Sequence, residues 1–137
     1  MNAGSRDAVR RRASGLCEYC RIPEGVLTGT HHVEHVVPAF HGGGDESANL
    51  ALSCGRCNLL KGTNLAGLDP ADGTLTRLFH PRADDWSEHF RFDGAVVVGK
   101  TDVGRTTIAV LRMNSDGRVL KRDRLLSIGY RFSTGRP

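Results

Sequence analysis

Two Cys-x-x-Cys pairs, Cys17-Glu18-Tyr19-Cys20 and Cys54-Gly55-Arg56-Cys57, constrain this chain more than any other feature. A two-residue spacing lets both sulfurs of a tight turn face one tetrahedral ion, and two such pairs offer four thiolates. The glycine inside the second pair gives that turn conformational freedom. A redox pair opens a helix after a strand, whereas Cys17 follows a stretch that reads as helix, so the spacing predicts a structural four-cysteine zinc site. The 33 residues between the pairs exceed a plain zinc ribbon, which means that something is inserted between the knuckles.

A chain of 137 residues fits one domain, small enough for a metal to matter to its core. The expected organisation is a single domain over 1–137, with a core at 17–66 and a C-terminal extension at 67–137. A net charge of +4 and a pI near 9.2 suit an acidic polymer as partner, although scattered surface lysines and arginines give the same total. The first fifteen residues hold no apolar run of signal-peptide length, and the aliphatic stretch 95–98 is far too short to span a bilayer. The expectation is a soluble, cytoplasmic protein with no membrane partner, in a compartment where disulfides are rare.

In chain order, a basic helix is expected over 6–13, capped by Ser5, with Arg6 and Arg10 on one face where they meet either phosphates or solvent. Residues 31–37, ending at Pro38, read as a strand, 49–53 as a second, and 57–65 as a short helix. The run His41-Gly-Gly-Gly-Asp45 is a connector, and 66–82 is turn-rich and expected to wrap the core. Asp93-Gly94 marks a hairpin between 89–92 and 95–98. Thr101 or Asp102 caps a helix through Met113, and a last helix is expected over 119–128.

The chemistry is concentrated in residues 31–62. Hydrolysing a phosphodiester needs a base to generate hydroxide, positive charge on the phosphoryl oxygens and help for the leaving oxygen. Histidine and a hard divalent ion supply these, and Mg2+ takes oxygen ligands while keeping several waters. Glu34 and Asn58 are candidate oxygens, with His35 as candidate base. His35 in a Val33–Val37 strand is otherwise a core histidine, Asn58 a cap of the helix after the knuckle and Asn49 an ordinary turn residue. Strand alternation sends Glu34 and His35 to opposite faces, so the strand must end or twist there for both to reach one phosphate. His32, on the face of Glu34, is a further candidate ligand or supporting donor.

His35 after a carboxylate and before Pro38, then Gly-Gly, Asn49-Leu50 and Cys54-x-x-Cys57-Asn58-x-x-Lys61, resembles the HNH endonuclease family of ββα-metal nucleases. Cys17-x-x-Cys20 resembles its zinc-bearing branch, and the run from Lys61 to Arg82 with 86–90 resembles the tail of a bacterial subgroup. The resemblance implies an α+β fold: a zinc-knuckled ββα unit with a C-terminal β-hairpin and helices packed as support. It implies His35 as general base, Glu34 and Asn58 as ligands of Mg2+ or Mn2+, and Asn49 bonding across the loop to hold His35. It implies Cys17, Cys20, Cys54 and Cys57 on zinc, and Lys61 on phosphate, with His41 and Arg10 as further nucleic-acid contacts. The family's carboxylate before the histidine is most often aspartate, and Glu34 is one methylene longer.

The function expected from these residues is metal-dependent cleavage of DNA, leaving 3′-hydroxyl and 5′-phosphate ends as the resemblance implies. The alternatives are a zinc-stabilised module that binds nucleic acid without cutting it and a structural or protein-interaction domain. The motif reads no bases, so it specifies neither sequence preference nor biological role. A monomer of this kind nicks a duplex in one encounter unless it forms a homodimer or rebinds.

Overall fold

A computed structural model describes residues 1–25 and 29–135. These form a mixed α/β structure with small two-stranded sheets and five helices among the described residues. Helix α1 spans Ala3–Arg12, with Asn2 rather than Ser5 as its cap: the Asn2 Oδ1 accepts from the Ser5 amide at 2.9 Å. Its buried Val9, with Ala13 just beyond, packs on Leu50 and Leu52. The arginines of its last turn reach across to the neighbouring strands. Arg12 donates to Leu50 O (2.6 Å), and Arg10 to His31 O (2.9 Å).

Strands β1 (His32–His35) and β2 (Leu50–Ser53) pair antiparallel, with Glu34 opposite Ala51 and His35 opposite Leu50. Helix α2 follows at Gly55–Lys61, starting two residues before the expected Cys57 because Cys54 caps it: its sulfur accepts from the Cys57 amide. Gly55 is an ordinary first helical residue with no positive φ, so the freedom expected of it is not used.

Residues 66–82 do more than wrap the core. They contain a hairpin, β3 (Ala66–Leu68) with β4 (Leu75–Arg77), closed by the Asp69–Thr74 turn and fixed by a bidentate ion pair between Asp69 and Arg105 at 2.8 and 3.1 Å. Strands of three residues are too short to carry a period, so the turn residues dominated the sequence signal.

A short helix α3 (Trp86–His89) leads into the hairpin β5 (Phe90–Asp93) and β6 (Val96–Gly99). Its turn is centred on Gly94-Ala95, one residue later than Asp93-Gly94, with positive φ only at Gly94 (56°), which only glycine adopts without strain. Helices α4 (Asp102–Leu111, capped by Thr101) and α5 (Asp116–Ser127) complete the chain.

One apolar cluster joins the two halves. Cys17, Tyr19, Cys20, Cys54 and Cys57 pack with Phe79, Trp86, Phe90, Val97, Val103, Leu111 and Met113. The Trp86 indole N–H donates to Tyr19 O at 2.7 Å, seating the C-terminal elements beneath the first cysteine pair. Among the described residues no helix is long and apolar enough to cross a membrane.

Candidate nuclease site and metal centre

The four cysteines converge. They are buried and unbridged, and their sulfurs all lie within 4.8 Å of one another. Cys20 and Cys54 Sγ are 3.7 Å apart, close to the roughly 3.8 Å that a tetrahedral Zn–S bond of about 2.3 Å requires. Within each pair the second amide points at the first sulfur, Cys20 N to Cys17 Sγ at 3.5 Å and Cys57 N to Cys54 Sγ at 3.4 Å. Burial pushes the Cys17 and Cys57 thiols up, while bonds from Cys17 and Cys20 pull Cys54 down. The donor set, its spacing and its burial fit structural zinc.

His35 closes β1, and its side chain is 28 % exposed against 6 % for Glu34. Its Nε2 sits 2.6 Å from Asp45 Oδ1, a residue at the far end of the glycine run. The Met1 ammonium and His35 together hold the Asp45 carboxyl down at about 2, so it is an anion at any working pH. A carboxylate on Nε2 fixes a tautomer with Nδ1 unprotonated, the arrangement that makes imidazole a base. Asp45 was missed in the sequence; its signal was a carboxylate directly after three glycines, the first of the pair Asp45-Glu46.

The loop between His35 and Asp45 is held by Asn49. Its Oδ1 accepts from Val37 N (2.8 Å), and its Nδ2 donates to Val37 O and Gly44 O (both 2.9 Å). Gly43 packs so closely that a Cβ there would lie 1.6 Å from Val37 O. His41 bonds through Nε2 to Thr63 O (3.0 Å) and is exposed, with Phe40 edge-on beside it.

Glu34 points inward, 6 % exposed. The Tyr19 hydroxyl donates to its Oε1, and Lys61 Nζ lies 3.6 Å from its Oε2. Burial raises the Glu34 carboxyl, and the Lys61 charge works against that rise. Lys61 is itself 2 % exposed, and its ammonium donates to Val36 O (2.8 Å) and His35 O (3.4 Å). It therefore binds the end of β1 from below rather than facing solvent.

Asn58 is half-buried on α2, one turn before Lys61; its backbone N–H donates to Cys54 O, and its side-chain amide makes no hydrogen bond among the described residues. His32 is exposed at the other end of β1, where it lines a cavity of about 410 Å3 with Leu59 and Lys121. Arg10 is engaged with Glu24 and His31 O. The structure thus brings His35, Asp45 and Asn49 together on one loop and Glu34, Lys61 and Tyr19 together beneath it, with His32 and Arg10 away from both.

The local architecture is a strand-loop-strand-helix that carries His35 beside a cluster of four cysteines. Residues 17–64 match the model of the HNH endonuclease family, so the chain carries an HNH endonuclease domain there. The Septu protein PtuB of Bacillus thuringiensis is 28 % identical over 120 residues, a match covering 82 % of this chain and 42 % of that protein. The chain thus spans less than half the length of the curated relative it matches. No solved structure matches it. The family whose model matches these residues is one of endonucleases.

Proposed function

We propose that the chain is an endonuclease that hydrolyses DNA phosphodiester bonds in a metal-dependent reaction, with His35 as general base. The observation that carries this reading is the 2.6 Å contact of His35 Nε2 with Asp45, which leaves Nδ1 to take a proton from water. The hydroxide so formed attacks phosphorus, the bond to the 3′ oxygen breaks, and that oxygen is protonated from solvent. The products carry a 3′-hydroxyl and a 5′-phosphate.

Glu34 and Asn58 are hard oxygen donors, the kind that Mg2+ and Mn2+ accept, and they are the residues that would hold the ion. Such an ion supplies positive charge to the phosphoryl and leaving oxygens when bound. Here the positive charge beside Glu34 is the Lys61 ammonium, so Lys61 must yield part of Glu34 for the ion to be held. His41, exposed at the loop tip, is the nearest candidate for a DNA contact. The shared apolar cluster supports residues 1–137 as one domain.

A second reading is favoured by one observation: the burial of Glu34 against Tyr19 and Lys61. It gives a zinc-stabilised module that binds nucleic acid without cutting it. Conversion of supercoiled plasmid with and without Mg2+ or Mn2+, beside His35→Ala prepared identically, separates the two. Metal-dependent nicking by wild type alone supports the nuclease. Two inactive proteins that both retard DNA in a gel support the binding module.

A further inference from the structure

We infer that Arg118, carried on the C-terminal helix α5, is the charge partner of the metal-thiolate cluster and governs how firmly the four cysteines hold their ion. This rests on the zinc reading of the cysteine cluster and not on the nuclease reading.

The guanidinium is 3 % exposed. Its Nη2 lies 2.8 Å from Cys57 Sγ and 3.3 Å from Cys54 Sγ, while Nη1 donates to Leu111 O (2.6 Å) and Arg112 O (3.1 Å). It pairs with no carboxylate among the described residues. A buried cation without an anion is very costly, so the sulfurs must answer its charge. Neutral thiols offer only weak acceptors, whereas four thiolates around a divalent ion leave two negative charges in excess. One guanidinium offsets half of that excess and donates an N–H to each sulfur of the second pair.

Donors of this kind in a metal's outer shell stabilise the ligand anions and oppose their protonation and loss. Arg122, the other fully buried arginine of α5, spends its donors on Ala95 O, Met113 O and the Asn114 side chain instead. Arg118 is thus the arginine of α5 that donates to the sulfurs. Its second nitrogen closes the C-terminal end of α4, so one side chain ties the metal centre to both C-terminal helices.

The test uses the zinc-loaded full chain. Bound zinc is measured after purification, and its transfer to a chelating dye is timed for wild type, Arg118→Gln, which keeps the stem and an amide donor without charge, and Arg118→Lys, which restores charge. Arg118→Gln is expected to release zinc about 10- to 100-fold faster than wild type, with Arg118→Lys in between. In cobalt-substituted protein, the sulfur-to-cobalt charge-transfer band of Arg118→Gln is expected to move to lower energy, a shift that loosened packing alone does not produce. Wild-type release rates and an unmoved band in Arg118→Gln would overturn the inference. Wild type purified without zinc would instead overturn the zinc reading on which it stands.

Discussion

His35 Nε2 and Asp45 Oδ1 meet at 2.6 Å across the loop 36–45, so the residue proposed as base is oriented from the far end of its own loop. Asp45→Asn keeps the shape and loses the anion. It is expected to lower kcat roughly 10²-fold, against a loss of up to about 10⁴-fold in His35→Ala. Plasmid-nicking rates at saturating metal check this, and equal rates for Asp45→Asn and wild type would remove Asp45 from the site.

Asn49 satisfies three backbone groups of that loop with one side chain. Asn49→Ala leaves them without partners at a position only 5 % exposed and is expected to cost about 2–4 kcal/mol. Urea unfolding measures it. A change below about 0.5 kcal/mol, the scatter of surface substitutions, would mean that the loop holds itself without the clamp.

Gly42 and Gly43 are expected to respond differently to alanine. At Gly43 the new carbon meets the Val37 carbonyl, backbone that cannot step aside, and the loop must move, at about 3 kcal/mol with loss of cleavage. At Gly42 nothing lies within 4 Å and only the left-handed φ of 86° is strained, at about 1 kcal/mol. Melting curves and nicking assays on the two variants should rank them in that order.

The Glu34 carboxyl is raised by burial above its unfolded value of about 4.3. Between those two values the folded chain binds more protons than the unfolded one, so this group makes stability fall as pH rises through the window. Glu34→Gln lacks that slope, which unfolding midpoints across the window for the two proteins would reveal. Lys61→Met leaves Glu34 buried and unanswered and is expected to cost about 3–5 kcal/mol, part of it recovered when both are replaced. Parallel pH slopes for wild type and Glu34→Gln would sink the assignment.

The residues legible in the sequence were those whose spacing is itself the signal. The two cysteine pairs and the β-β-α order around His35 needed only local rules, as did Thr101 capping α4. What was not legible depended on contacts distant in the chain. Nothing in the sequence places Arg118 on sulfurs more than sixty positions earlier, or sets Tyr19 against Glu34. Lys61 reads as a surface cation because lysine so rarely goes inside, and only the fold supplies the carboxylate and carbonyls that receive it. The β3–β4 hairpin escaped because Gly67 carries no pattern of its own. Its lack of a side chain lets the strand lie on α4, where a Cβ would sit 2.4 Å from Val110.

The Asn49 clamp also divides the loop into positions that can vary and positions that cannot. Val37, Gly43 and Gly44 are tied to Asn49 or packed against it, while Ala39, Phe40 and His41 stand outside the clamp and are exposed. Substitutions at these three leave untouched the Asn49 bonds that hold the loop behind His35. Under the nuclease reading proposed above, the loop separates the surface offered to a substrate from the histidine that would act on it, leaving substrate preference free to drift while the chemistry stays put.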